Sequence, residues 1–171
     1  MDISIEEKTI IAIEVRRSCL GYAVFQGSAC LLDWGATTSY PLAGSIQRAE
    51  KRLLFLFGLL PPALIVVRKP CKLISQGVIL DLLKREAVKH SIPVAILNRD
   101  DVLKAFSLDR GINKHQVAIA LTHIFPDLVS RLPPQRGTGD SERRAMIVFD
   151  AIATGYAHLQ APQIQSPSAE D

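Results

Sequence analysis

The sequence from residue 9 to residue 26 contains two consecutive apolar segments, and one acidic residue interrupts the first of them. Residues 9–16 and 20–26 are rich in β-branched and aromatic side chains, and a short turn-like segment separates them. This pattern predicts a β-hairpin. A carboxylate in a strand that is apolar on both faces is costly to desolvate unless a cation or a hydrogen-bond donor meets it. We therefore expect Glu14 to be either a ligand or one member of a buried ion pair.

The length and composition indicate one domain. The chain has 171 residues, of which 48% are hydrophobic, and this is enough to bury a hydrophobic core without stabilising disulfide bonds or metal ions. We predict a single domain over residues 1–160 and a polar, proline-containing, disordered tail over residues 161–171. Cys19, Cys30 and Cys71 are odd in number and lack zinc-site spacing, so we expect reduced thiols.

The same survey limits the location and the partners. We expect no secretory signal, because the first residues are acidic and lack an apolar core, and no apolar run reaches membrane-spanning length. A cytoplasmic protein without a membrane partner is therefore predicted. The net charge of +3 is only a mild bias toward anionic partners.

Apolar periodicity predicts the order β-β-β-α-β-α-β-α, followed by two more helices. A three-strand meander followed by helix-linked strands requires a mixed sheet, so we predict an α/β fold with five strands and helices on both sides. In the first helix we assign Ile46, Leu53, Leu54 and Phe57 to the buried face. The later predicted elements are a strand at 29–35, a helix at 43–60, a strand at 63–67, a helix at 72–90, a strand at 93–97, a short helix ending near 106, a helix at 113–125, a loop at 131–140 and a helix at 141–159.

Two motifs in the last third of the chain carry a family resemblance. Residues 111–117 contain a glycine, a lysine and a Gln-Val pair ahead of a predicted helix, and Asp150 begins an Asp-Ala-Ile-Ala segment with His158 eight residues later. Together with the element order and the acid that closes the first strand, they resemble the RuvC family of Holliday-junction resolvases in the ribonuclease H-like superfamily. The resemblance covers about residues 8–159 and implies that fold.

The resemblance also implies a metal-dependent chemistry. In proteins of that family, carboxylates converge on two divalent ions, and these ions activate a water and stabilise the leaving oxygen of a phosphodiester. The four acidic positions fall at Glu14, Arg68, Ile147 and Asp150, so only the first and the last are acidic here. Glu14 and Asp150 are thus candidate catalytic residues and ligands of Mg²⁺ or Mn²⁺. Arg68 places a cation where a metal would lie, so we expect cleavage to be weak, altered or lost.

Glu142 is a third catalytic candidate. It precedes Asp150 by eight positions on the same predicted helix, about 80° around the helix axis. The alternative is that Glu142 only complements the helix dipole behind a Ser141 N-cap. Asp150 lies in a helix that is apolar nearly all round, so it should be buried and partnered, by a metal or by Arg68 or Arg16. We expect Glu14 and Asp150 on one side of the sheet, no further apart than one arginine or one bridging metal can span.

The candidate DNA-binding residues are basic side chains that flank this site. Asn113 and Gln116 fit a capping box, which leaves Lys114 unexplained because a cation is mildly unfavourable at a helix N-terminus. The resemblance implies that Lys114 contacts phosphate, and a solvated surface lysine is the alternative. The full set is Lys114, Arg68, Lys69, Arg136, Arg143 and Arg144.

Three functions remain open from the sequence. The first is a RuvC-like protein that binds branched or duplex DNA, with a homodimer as a further expectation. The second is a non-catalytic scaffold in which Arg68 neutralises Glu14 and Asp150. The third is a small ATP-binding relative similar to sugar kinases, which normally has a glycine-rich turn after its first strand, and residues 16–19 contain no glycine.

Overall fold

The computed structural model describes residues 8–16, 19–27, 30–38, 41, 43–69, 74–106, 112–135, 137 and 145–161. The strands are β1 (Thr9–Val15), β2 (Leu20–Gln26), β3 (Cys30–Ala36), β4 (Leu64–Arg68) and β5 (Val94–Leu97). The helices are α1 (Ser45–Leu59), α2 (Ile74–Lys89), α3 (Arg99–Lys104), α4 (Lys114–Ile124) and α5 (Ala145–Gln160), with a 3-10 helix at Pro126–Arg131.

The strands form one mixed sheet in the order β3-β2-β1-β4-β5. The pairs β1–β2 and β2–β3 are antiparallel, and the pairs β1–β4 and β4–β5 are parallel. This arrangement confirms the predicted meander continued by helix-linked parallel strands. It also places β1 at the centre, between an antiparallel and a parallel neighbour.

Side-chain alternation along β1 separates two cores. Ile11, Ile13 and Val15 belong to the core that also contains buried side chains of α1 and α2. Ala12 belongs to the opposite core, together with residues of α3, α4 and α5. Because successive strand residues point to opposite faces, Glu14 lies on the same face as Ala12, toward α5.

Most predicted boundaries agree with the observed elements within one or two residues. The assignment of two α1 residues to the core is wrong, because Ile46 and Leu54 are 40% and 42% exposed, and the buried face is formed by residues such as Leu53, Leu56 and Phe57. The 3-10 helix was not predicted. The predicted start of the last helix at 141–144 and the predicted tail beyond Ala161 lie outside the described residues. None of the helices in the described ranges is both long and apolar enough to span a membrane.

Two glycines allow α5 to lie directly on the sheet. A Cβ atom at Gly21 would be 2.7 Å from the carbonyl oxygen of Ile147, and one at Gly155 would overlap the Phe25 ring and lie 2.8 Å from the Cβ of Ala12. Contacts this short are not sterically tolerated, so only glycine permits the observed approach. The close packing fixes α5, and therefore Asp150, over β1 and β2.

We predict that Gly155→Ala lowers the free energy of unfolding by about 1–3 kcal/mol, because the added methyl group overpacks the α5–sheet contact. Gly77→Ala in α2 is the matched control, since nothing lies within 4 Å of its added Cβ. It should raise stability by about 0.5–1 kcal/mol through helix propensity. Urea unfolding measures both changes, and a neutral Gly155→Ala would contradict the close packing.

Candidate functional site

Five charged side chains of the described residues converge at the end of β1, and we call them the charge cluster. They come from the end of β1, the residue that follows it, the end of β4, the first position of α4 and the interior of α5. The members are Glu14, Arg16, Arg68, Lys114 and Asp150. Parallel pairing explains part of the arrangement, because Ile13 pairs with Val67 and the next residues along the two strands are Glu14 and Arg68.

Two arginines each contact both carboxylates. Arg68 Nη2 donates to Glu14 Oε1 and lies 3.7 Å from Asp150 Oδ2. Arg16 Nη2 donates to Asp150 Oδ2, and its Nε lies 3.4 Å from Glu14 Oε1. Lys114 Nζ donates to Asp150 Oδ2 at 2.9 Å. Glu14 and Asp150 lie on one side of the sheet within the span of one arginine, as expected. Of the two partners left open for Asp150, a metal ion or an arginine, the structure shows ion pairs with Arg16 and Arg68.

The two carboxylates are buried. Glu14 is 4% exposed and Asp150 is 7% exposed. Burial raises the pKa of Glu14 from 4.5 to about 7; the positive charge of Arg68 opposes the rise, and the negative charge of Asp150 adds to it. Glu14 Oε2 is buried and accepts no hydrogen bond from the residues that the structure describes. Glu14 therefore exchanges a proton near neutral pH.

The capping box of α4 positions the lysine. The backbone N–H of Gln116 donates to Asn113 Oδ1, and the backbone N–H of Asn113 donates to Gln116 Oε1, both at 2.9 Å. This confirms the predicted box and fixes Lys114 at the first helical position. The ion pair with Asp150 accounts for a cation there, so Lys114 is not simply a solvated surface lysine.

The residues of the cluster do not fit a two-metal site. Arg68 and Ile147 stand where the family resemblance implies two further acids, and Ile147 is buried and apolar. Glu14 Oε1 and Asp150 Oδ2 are both bound by guanidinium groups, which a divalent ion would have to displace. Within the described ranges, no three His, Cys, Asp or Glu side chains are grouped so that they could hold a metal ion.

Of the remaining predicted site residues, the structure describes Lys69. Lys69 is exposed, and its backbone N–H donates to the carbonyl oxygen of Leu97. The predicted catalytic Glu142 and the predicted DNA contacts Arg136, Arg143 and Arg144 lie outside the described residues.

Arg16 was missed as a site residue. From the sequence, Arg16 is only one of the alternative partners of Asp150. Its spacing was the available signal, because a residue two positions after Glu14 continues on the same face of an extended chain.

Comparison with known proteins identifies the fold. No protein-family model and no curated protein matches the sequence. Among solved structures, Thermus thermophilus RuvC in complex with Holliday junction substrate has a TM-score of 0.69 at 18% identity, over 90% of this chain and 94% of that chain. The chain has a RuvC-like fold. A second Thermus thermophilus RuvC structure has a TM-score of 0.67 at 18% identity, over 89% of this chain and 93% of that chain.

The RuvC-like fold extends to a viral protein. Fowlpox virus resolvase, solved with substrate Holliday junction DNA, has a TM-score of 0.59 at 11% identity, over 90% of this chain and 99% of that chain. The likeness confirms the predicted ribonuclease H-like fold class. At these identities it establishes the fold alone, so the roles of individual residues rest on the geometry of the charge cluster.

We predict that Arg68→Ala lowers the free energy of unfolding by about 1–3 kcal/mol, because two buried carboxylates lose a shared partner while Arg16 remains. Lys69→Ala is the control, since it removes the same charge from the adjacent exposed position. It should change stability by less than about 0.5 kcal/mol. Equal stability of the two variants in urea unfolding would show that Arg68 does not compensate the carboxylates.

Stability should also depend on pH through Glu14. Its folded-state pKa, raised to about 7, lies above the ordinary value of 4.5, so the native state binds the extra proton between these values. Glu14 therefore contributes up to about 3 kcal/mol to the free energy of unfolding, at ~1.4 kcal/mol per unit of pKa shift. This stabilisation is present below the lower pKa and is lost as pH rises through the higher pKa. Glu14→Gln keeps a neutral side chain of similar shape at every pH.

The measurement is the unfolding free energy of wild type minus that of Glu14→Gln, taken from about pH 5 to about pH 8. We expect this difference to fall as pH rises, because only the wild type must ionise a buried carboxyl group. A difference that stays constant or increases with pH would contradict the raised pKa.

Proposed function

We propose that this protein binds branched or duplex DNA through the phosphate backbone and does not cleave it by a two-metal mechanism. The observation that carries the proposal is the position of Arg68, whose guanidinium contacts both Glu14 and Asp150. A cation in that position favours the approach of a phosphate and disfavours the approach of a divalent metal ion.

The charge balance of the cluster supports anion binding. Among the residues that the structure describes, three cations of the cluster face two carboxylates, which leaves one positive charge in excess, and two when Glu14 holds its proton. The cations also reach solvent, because the side chains of Lys114 and Arg16 are 34% and 26% exposed. A phosphate can therefore meet them without opening the core.

The fold supports DNA as the source of that phosphate. The T. thermophilus RuvC and Fowlpox virus resolvase structures that this chain resembles both contain Holliday junction DNA. Branched DNA is accordingly the first partner to test. Phosphate contacts by Lys69, Arg136, Arg143 and Arg144, a homodimer, a cytoplasmic location and a single domain over residues 1–160 stay predictions.

A non-catalytic scaffold is the second candidate, and one observation favours it. Asp150 Oδ2 already has three cationic neighbours, Arg16, Arg68 and Lys114. If these ion pairs persist in solution, a phosphate must compete with Asp150 for the same donors. The fold would then present a surface to another protein, with the charge cluster as a structural element.

We predict that affinity for a labelled four-way junction, measured by fluorescence anisotropy, falls steeply with salt concentration. Lys114→Ala should weaken binding equally for all sequences and reduce the slope of log K against log[salt] by about one. Lys84→Ala, which removes an exposed lysine from α2, is the matched control and should leave both quantities unchanged. A flat salt dependence, or no binding at low salt, would favour the scaffold.

A cleavage assay in Mg²⁺ or Mn²⁺ tests the other half of the proposal. Wild type should not cut the junction. Cutting by wild type would contradict the proposal, because it would require Arg68 to move away from the two carboxylates. Arg68→Glu should melt at a lower temperature in metal-free buffer, because three acids then meet two cations. Added metal should partly restore its melting temperature by binding only the native state.

A further inference from the structure

A second cationic surface lies on the outer side of α1. Arg48, Lys51, Arg52 and Phe55 follow the spacing i, i+3, i+4, i+7, which places them along one face of the helix. This face borders a depression of about 480 Å³ beside the end of β3. The depression, which we call the α1 depression, is lined by Ala36, Thr37, Thr38, Arg48, Lys51, Arg52 and Phe55.

Arg52 is held in a fixed orientation at this depression. Its Nη2 donates to the hydroxyl oxygen of Tyr22 and lies 4.0 Å from Asp33 Oδ2. Its guanidinium carbon is 4.5 Å from the centre of the Tyr22 ring and 5.4 Å from the centre of the Phe55 ring. Arg52 therefore places a planar cation beside an aromatic ring.

Arg48 is also fixed, but by neutral groups. It donates to the backbone carbonyl oxygens of Thr38 and Ala43, each at 3.2 Å, and to that of Pro41. Carbonyl oxygens orient the guanidinium without cancelling its charge. Together with the exposed Lys51, Arg48 gives the depression a positive charge that no carboxylate among its lining residues offsets.

Phe55 adds an aromatic surface to these cations. Its side chain is 53% exposed, although phenylalanine is usually buried. Exposed aromatic rings beside basic side chains are the means by which proteins bind single-stranded nucleic acid, since the bases stack on the ring and the phosphates meet the cations. An acidic peptide would use the cations and leave the ring without a role.

The α1 depression and the charge cluster lie at the same end of the sheet. Glu14 pairs with Gly21, and Gly21 pairs with Ala36, so the three residues are at one level across three strands. Neighbouring strands are about 4.8 Å apart, which puts Ala36 roughly 10 Å from Glu14 along the sheet. The two sites lie on opposite faces of the sheet, the α1 depression on the face of Tyr22 and the charge cluster on the face of Ala12, so a nucleic-acid strand has to pass around this end to contact both.

We propose that the α1 depression binds an unpaired single strand of DNA, with one base stacked on Phe55 and the adjoining phosphates near Lys51 and Arg48. The inference extends the proposed function, because it assigns the unpaired part of a branched substrate to this face and the duplex backbone to the charge cluster. The α1 depression and the charge cluster have no residue in common, so each can be tested by its own substitutions.

The test uses the full-length chain and two fluorescent probes, an oligothymidine and a fully paired four-way junction. Phe55→Leu should weaken oligothymidine binding at least about five-fold, whereas Phe55→Trp should retain it, because only an aromatic ring stacks with a base. Lys51→Ala should weaken the same binding and reduce its salt slope by about 0.7. Affinity for the paired junction should be insensitive to Phe55→Leu.

Matched controls separate the site from general surface effects. Leu59→Ala removes an exposed apolar side chain from the same helix outside the depression, and Lys84→Ala removes a lysine from α2. Both should leave oligothymidine binding unchanged. A loss with Leu59→Ala equal to that with Phe55→Leu would overturn the proposal, as would effective competition by poly-aspartate together with a neutral Phe55→Leu.

The two proposals fail in different ways. If the paired junction binds through Lys114 while oligothymidine binding ignores Phe55 and Lys51, the α1 depression is not a strand site and the proposed function stands. If oligothymidine binding depends on Phe55 while junction binding ignores Lys114, the strand site stands and the role of the charge cluster is wrong.

Discussion

The fold depends on how two neighbouring buried carboxylates are compensated. Glu14 belongs to the central strand and Asp150 to the helix packed on it, so both are fixed by the core and neither can turn toward solvent. Arg68 and Arg16 each contact both acids, and Lys114 contacts one of them. Because each cation comes from a different segment, the same contacts join β1, β4, α4 and α5 at one end of the sheet.

The close approach of α5 sets the geometry of that compensation. Gly21 and Gly155 remove the side chains that would separate the helix from β1 and β2. One arginine can span the two carboxylates only because the helix lies so near the sheet. The glycine packing and the ion pairs of the charge cluster therefore depend on each other, because the short distance between α5 and the sheet is needed for both.

Much of this could be predicted from the sequence, for identifiable reasons. A single carboxylate among β-branched residues marks Glu14 as buried, and an apolar helix marks Asp150. Desolvation cost therefore predicted that both acids need a partner, but it left a metal ion and an arginine as open alternatives. Side-chain direction at element ends was harder to infer, and the share of Arg16 in both ion pairs was missed. On α1, Ile46 and Leu54 were assigned to the core because they are apolar. The assignment was wrong, since apolar character alone does not define which face of a helix is buried. The α1 depression could not be predicted either, because its shape depends on the path of the chain after β3. Hydrophobic periodicity does not determine that path.

The contact between Ile147 and Gly21 limits how this sequence could change. The Ile147 backbone and side chain fill the space that a Cβ atom at Gly21 would take, so a carboxylate at residue 147 would be forced against β2 in an apolar setting. An acid at residue 68 would add negative charge to a site already built around two acids. An acid introduced at either position is thus unfavourable without a compensating change in the charges around it. The cation at residue 68 and the apolar side chain at residue 147 are therefore both required by the close packing of α5 on the sheet and by the charge balance beneath it.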